Sequence, residues 1–453
     1  MERQTDDNDL TEGVIWKKLL LFFFPILFGM LLQQLYNTAD AIIVGKFVGT
    51  DALAAVGGSA TQIINLVIGF FTGLASGATV IVSQYYGAHD DERVSLTVHT
   101  ILTFYLIVGI GLTILGYLGT PWMLKVVKNP VAIMEPSVQY LRIYFLGALP
   151  MLIFNVGSGI LRAVGDSKRP LYFLFVCCVL NILLDLLFVA VLDFGVKGAG
   201  WATVMAQTVS ATLIILNMLK TPRAHKLHPS KLRIDYYSLR DALWLGIPAG
   251  VQSSMYSLSN LIIQSAINGL GTAVIAAWSA CGKIDGVYWM TSNAFGAAIC
   301  AFVGQCFGAK KYQRMKESFK TCMAISLSVT VVMSVVLYAF AEPAFHIISD
   351  DPEVVSYSAE MLRYFAPFYF VWSFIEIISN TLRGAGDSIR PTVIIMLGVC
   401  FARILWVLFV VPRWYTVMGI SVSYPVTWSI TAIALIVYYT SSGWLERLQS
   451  AQK

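Results

Sequence analysis

A ten-residue stretch, LRAVGDSKRP at 161–170, returns as LRGAGDSIRP at 382–391, with seven of ten positions identical at an offset of 221. Other pairs keep that spacing. Gln84-x-x-Gly87-Ala88 returns as Gln305-x-x-Gly308-Ala309, and Gly198 returns as Gly419. A repeat held in register over so long an offset means a duplicated unit covering nearly the whole chain.

Between the repeated motifs lie apolar runs of about 20 residues or more, long enough to cross a hydrocarbon core of roughly 30 Å as helices. The chain is 57% hydrophobic and only 13% charged, where a soluble domain carries about 25% charged residues. Twelve spans are expected, near 17–45, 54–82, 95–118, 137–163, 171–193, 199–219, 243–267, 273–303, 317–341, 357–383, 392–412 and 417–440. The fold class is therefore an all-α integral membrane protein with twelve transmembrane helices in two pseudo-symmetric six-helix bundles, 17–219 and 243–440. A basic cytoplasmic linker, 220–242, joins them. Tails 1–16 and 441–453 flank them. Six is even, so both halves enter the membrane from the same side and form a parallel repeat.

Lys and Arg concentrate on alternate loops, at Lys17 and Lys18, Arg162 to Arg169, Lys220 to Arg240, Lys310 to Lys320 and Arg383 to Arg390. The positive-inside rule then places both termini in the cytoplasm. The net charge of +5 is spread over these short loops and is not a nucleic-acid signal. The polar, acidic start, Met1 to Gly13, reads as a cytoplasmic tail rather than a signal peptide. The seven cysteines lie in or beside apolar segments, which implies neither a disulfide framework nor a zinc site. The Gly-Asp-Ser-x-x-Pro loops are turn chemistry followed by a helix-opening proline, so they are architectural.

The duplication separates architecture from function. Arg142 and Arg363, and Gln84 and Gln305, occur in both halves and read as snorkelling and helix-packing residues. Asp40 lies within span 1, and its partner in the second half is Asn260. Asp185 lies within span 5 and pairs with Trp406; Asn181, four residues earlier on the same face, pairs with Ala402. Thr203 and Tyr140 share the outer half of the membrane with both acids, and Tyr36 and Asn37 stand beside Asp40; their second-half partners carry no charge. Acids inside apolar spans are functional by default, because burying a charge in a membrane is costly. Such a pair, with Asn and Thr oxygens, could coordinate Na+ or carry a proton. The alternative is an acid bonded to hydroxyls that holds helices together. In the second half, Lys283, Asp285 and Arg403 have similar depth and Glu376 lies deeper, which predicts a buried salt-bridge network or a substrate contact. His99 reads as a packed, hydrogen-bonded histidine.

This pattern resembles the multidrug and toxin extrusion (MATE) family of cation-coupled antiporters. The residues that carry the resemblance are the repeated Leu-Arg-x-x-Gly-Asp loops, the run Asp40 to Gly45, and Asp51-Ala52-Leu53-Ala54-Ala55-Val56-Gly57. The resemblance implies a V-shaped central cleft between the bundles and a coupling role for Asp40. It also implies a cation site at Asn181, Asp185 and Thr203 with Tyr140 nearby. The NorM-like branch carries a Glu in span 7 and an Asp in span 10. The matching positions here are Tyr256 and Trp372, which points to the DinF-like or archaeal branches.

The function expected is export of an amphipathic, cationic organic compound across the plasma membrane by Na+- or H+-coupled antiport. The protein would act as a monomer among membrane lipids, with no cofactor beyond the coupling ion. The rival is a lipid-linked oligosaccharide flippase. The chain has no nucleophile with a His partner and no metal-ligand spacing for an enzyme. A channel would draw its filter from symmetric subunits.

Overall fold

In hydrocarbon every backbone N–H and C=O must be satisfied within its own segment, so apolar runs of this length become helices. The computed structural model describes residues 9–451 and, among them, contains helices and no strand. Spans 1 to 6 are Ile15–Phe47, Thr50–Gly87, Asp91–Val126, Val131–Leu146 with Ala148–Ala163, Lys168–Val191 and Gly195–Lys220. Spans 7 to 12 are Tyr236–Asn268, Thr272–Gly308, Tyr312–Ala339, Pro352–Gly384, Ile389–Arg413 and Val417–Ser441. Eleven of them, counting the bent span 4 as one, are long and apolar enough to cross a membrane. Span 7 is long enough but too polar. Gln252, Ser253, Ser254, Ser257, Ser259 and Asn260 interrupt it, so the expected twelve apolar spans are eleven and one polar helix. The two ends expected as tails fall partly outside the described residues, at 1–8 and 452–453. Within them Trp444–Ala451 is helical, so the last segment is not simply a polar tail.

The bend in span 4 measures 49°. Its cause is Pro150, which has no N–H for the Leu146 carbonyl and crowds that turn, at the break marked by Gly147. The repeat reappears in the backbone. His89 and Lys310 both take φ of 57°, and Gly165 and Gly386 take 84° and 104°. In the two Gly-Asp-Ser loops, Asp166 pairs with Arg169 at 3.3 Å and Asp387 with Arg390 at 3.5 Å. Asp166 also accepts the Arg169 N–H at 3.1 Å, and Asp387 accepts from the Tyr438 hydroxyl at 2.5 Å.

The helices carry three irregular segments: a kink in Val56–Ala60, where Gly58 leaves the helical region at φ −85° and ψ −122°, and two π-helical segments, each one residue wider than an α-turn, Leu186–Val191 and Met396–Phe401. The first accounts for a slip in the repeat. Gly49 and Gly271, both at positive φ, begin spans 2 and 8. From there to Gln84 is one residue longer than to Gln305, and the kink at Gly58 absorbs it. Spans 5 and 11 each hold one π segment, but at different depths. Between the two sites the pairing offset becomes 222. The buried set Cys177, Cys178 and Asn181 then matches the buried set Val399, Cys400 and Arg403. The expected pairing of Asn181 with Ala402 and Asp185 with Trp406 is corrected to Arg403 and Val407.

The chain divides into two compact units, Phe24–Gly250 and Thr11–Phe23 with Val251–Lys453. The division falls inside spans 1 and 7, not in the linker at 220–242. The linker is bonded to the first unit. Leu227 N–H donates to the Met218 carbonyl at 2.8 Å, and Asp235 N–H donates to Thr100 Oγ1 at 3.1 Å. In the second unit, Lys311 Nζ donates to Thr11 Oγ1 at 3.1 Å and to the Thr11 carbonyl at 3.2 Å, and Phe23 stacks on Phe295 at 4.0 Å.

Two glycine pairs set the packing inside the first unit. Gly73 and Gly77 on span 2 face Gly246 and Gly250 on span 7. A Cβ on Gly73 would stand 2.6 Å from the Ala249 carbonyl oxygen, and one on Gly250 would stand 2.7 Å from the Phe70 carbonyl oxygen. Two Gly-x-x-x-Gly faces thus bring the helix backbones into direct contact, the usual route to close packing in lipid.

His99 is buried and hydrogen-bonded, as its isolation in span 3 predicts. Its Nε2 accepts the His228 N–H at 2.9 Å, and Nδ1 lies 2.6 Å from the Ser95 carbonyl oxygen. Only the tautomer with the proton on Nδ1 serves both partners. His99→Leu keeps the volume roughly and orphans both, so it is expected to cost about 1–3 kcal/mol. A lowered thermal unfolding midpoint in detergent checks this; an unchanged midpoint would count against it.

Candidate functional site

Four helices of the first unit each contribute two side chains one turn apart, the spacing that puts residues i and i+4 on one face. Span 1 gives Tyr36 and Asp40, span 4 gives Tyr140 and Tyr144, span 5 gives Asn181 and Asp185, and span 6 gives Thr203 and Gln207. Of these, Asp185 is 0% and Asn181 1% exposed. Asp185 closes the regular part of its helix, directly before the π segment Leu186–Val191.

The carboxyls of Asp40 and Asp185 lie against each other. Tyr140 stands close to both, and Tyr36 and Tyr144 close to Asp40. The rings of Tyr140 and Tyr144 are 6.1 Å apart. Asn181 sits one turn from Asp185. Thr203 is buried on the same face as Gln207, with its hydroxyl donated to the Ala199 carbonyl at 3.1 Å rather than to either acid. Asn37 is exposed and stands apart from the group. Gln207 and Tyr144 were not among the expected site residues. Their signal was available, since each follows an expected residue by four.

What distinguishes the cluster is its unmet hydrogen-bonding capacity. Asp40 Oδ1, both Asp185 oxygens, Asn181 Oδ1 and Nδ2, and Gln207 Oε1 are buried and have no partner in the protein. No Lys or Arg among the described residues pairs with either acid. The reading in which the acids are bonded to hydroxyls to hold helices together lacks its bonds. Two adjacent buried carboxyls without a cationic partner are costly, and a shared proton or an oxygen-liganded cation relieves them both. Five of the six unpaired atoms are oxygen acceptors, the donor set of a hard cation.

The polar residues of the second unit do not form the expected salt-bridge network. Asp285 accepts from the Tyr369 hydroxyl and from Trp289 Nε1 at 2.6 Å. Arg403 lies over the Tyr424 ring at 3.9 Å and donates to Thr427 Oγ1 at 3.4 Å. Glu376 Oε1 accepts from Asn380 Nδ2 at 2.8 Å, and Lys283 is exposed. Lys283 and Asp285 are two apart on one helix, so they point to different faces.

A family model described as MatE matches residues 25–187 and 248–408, one stretch in each repeat. The chain belongs to the MatE family. A second model, described as Lipid II flippase MurJ, matches residues 130–266. Among the curated relatives of this MatE chain, "Probable multidrug resistance protein YoeA" of Bacillus subtilis is 29% identical over 437 residues, 94% of this chain and 93% of that protein. "Probable multidrug resistance protein YpnP" of the same organism is 26% identical over 443 residues, 96% of this chain and 97% of that one. A solved outward-facing multidrug resistance MATE family transporter of the MOP superfamily superposes with a TM-score of 0.91 over 100% of both chains, at 21% identity. This MatE chain therefore has the fold of a multi-pass membrane transporter.

Proposed function

We propose that this MatE protein exports amphipathic, cationic organic compounds from the cell by exchange for an inward-moving cation, Na+ or H+, bound at Asp40 and Asp185. The observation that carries the reading is the buried acid pair with no protein cation and no bonded donor. Asn181, Gln207 and Thr203 add oxygens around it, and Tyr140 closes it. Tyr256 and Trp372 stand where the NorM-like branch carries acids, so the first unit alone holds the coupling residues, as in the DinF-like and archaeal branches. The names of the two Bacillus relatives support a drug-like cargo. The transporter sits in the plasma membrane as a monomer with both termini in the cytoplasm.

Cation loading opposes substrate binding, and this drives exchange between inward- and outward-open states. The ion must bind the two states with different affinity, because without that difference a gradient does no work on the cargo. A lipid-linked oligosaccharide flippase is the weaker reading, since the match to the flippase model is confined to residues 130–266. Proteoliposomes loaded with a fluorescent lipophilic cation test the proposal under imposed Na+ and H+ gradients separately. Efflux that follows one gradient names the ion. Efflux that ignores both gradients overturns the coupling.

A further inference from the structure

The second unit holds a half-open cavity of about 480 Å3, within the range of small-molecule sites. It occupies the repeat position of the first unit's polar cluster. Its lining residues Tyr256, Asn260, Arg403, Tyr424 and Trp428 are the counterparts of Tyr36, Asp40, Asn181, Thr203 and Gln207. Duplication has thus yielded two sites of opposite chemistry. Where the first offers unpaired oxygens, the second offers unpaired N–H donors. Arg403 Nε, Trp372 Nε1 and Trp428 Nε1 are buried and have no hydrogen-bond partner.

We propose that this cavity binds a planar aromatic compound bearing a carboxylate, with Arg403 as the anchor for the acid group and the tryptophans as its walls. Arg403 is 3% exposed, and no carboxylate among the described residues lies within ion-pair distance of it. Its guanidinium carbon lies over the Tyr424 ring, 3.9 Å from the centroid, and its Nε–H is left without a partner for a planar acceptor to meet. The π segment Met396–Phe401 turns Arg403 into the cavity, in the place that Asn181 holds in the first unit. Such segments often mark functional positions. The walls are preorganised. Trp289 meets Trp372 edge-on at 5.0 Å and Trp428 at 5.8 Å, and Trp372 and Trp428 lie 5.8 Å apart. Trp N–H groups only donate, so Trp372 and Trp428 add donors on the same lining as the guanidinium. Asp285 also lines the cavity, but its two oxygens already accept from Tyr369 and Trp289. The buried lining atoms left without a partner are all N–H donors, which call for an acceptor.

The site is independent of the direction and coupling of transport, so it is tested by binding alone. Full-length protein in neutral-lipid nanodiscs is titrated calorimetrically with naphthoate, and with its near-isosteres naphthamide and naphthylmethylammonium. Naphthoate is expected to bind at least about tenfold more tightly than either, the scale of a charge-assisted bidentate contact. Arg403→Gln is expected to abolish that preference, and Trp428→Phe, which keeps a ring and loses the donor, to weaken naphthoate several-fold. A merely structural Arg403 would lower the unfolding midpoint and leave the preference intact. Equal binding of the three probes, binding of none, or a preference that survives Arg403→Gln would overturn the proposal. Should Arg403→Gln fail to fold, an undiminished affinity in Trp428→Phe would overturn it.

Discussion

Asp40→Asn is expected to abolish gradient-driven export while the protein stays folded and binds lipid as before. The substitution keeps the shape of the side chain and removes one of the two charges that face each other. A cation held about 4 Å from a carboxylate gains about 4 kcal/mol from it at an effective dielectric constant of 20, so cation affinity should fall on the order of a thousandfold. Asp185→Asn should do the same. The double variant should be no worse than either, since two residues that act as one site are not additive. Stability separates this from unfolding. Relief of a buried like-charge pair is expected to hold or raise the unfolding midpoint, so lost transport with an intact midpoint assigns the acids to coupling. Transport at the normal rate in Asp40→Asn would remove that role.

The other large effect lies in packing. Gly77→Ala is expected to prevent recovery of folded protein, because the new methyl would collide with the Ala242 carbonyl oxygen and the Gly246 backbone nitrogen. Both are main-chain atoms of a helix and neither has a rotamer to yield. Overpacking against a side chain costs about 1–3 kcal/mol; against a helix backbone the cost should reach the upper end or more. Gly111→Ala on span 3 is the control, since its Cβ would meet nothing within 4 Å. That change should be neutral or stabilising, because alanine is the better helix former by about 1 kcal/mol. Monodisperse yield on size exclusion and the unfolding midpoint read both variants. Normal recovery of Gly77→Ala would show that spans 2 and 7 separate more readily than their contact suggests.

The architecture was largely legible because lipid leaves so few choices. Apolar runs give helices, the offset of 221 residues gives the duplication, and the isolation of His99 within span 3 gives its bonded state. Asp40 and Asp185 stood out because a buried acid is expensive and the repeat supplied an uncharged comparison for each. The rest depended on azimuth, which depth along a helix does not supply. Lys283, Asp285 and Arg403 share a level and not a face. Asn37 is within a turn of Asp40 and yet exposed. Span 7 hid its role, since its Tyr256, Asn260 and Gln264 line the cavity of the second unit. The Gly-x-x-x-Gly pairs were visible in the residues, but nothing in one helix names the helix it touches. The π segments left no local mark, because one extra apolar residue in an apolar helix changes neither hydropathy nor length appreciably.

Those widened turns also bear on how duplicated chains diverge. An α-helix advances about 100° per residue, so a single inserted codon swings everything beyond it to a new compass bearing. Two such insertions at different heights in spans 5 and 11 leave the ends of both helices in step and put only the stretch between them out of step. A guanidinium could thus be dialled into the seat of an amide without disturbing the loops at either end. Substitution alone would have had to repaint a face residue by residue. In this lineage, novelty at the centre of a bundle came from changing where the helix points.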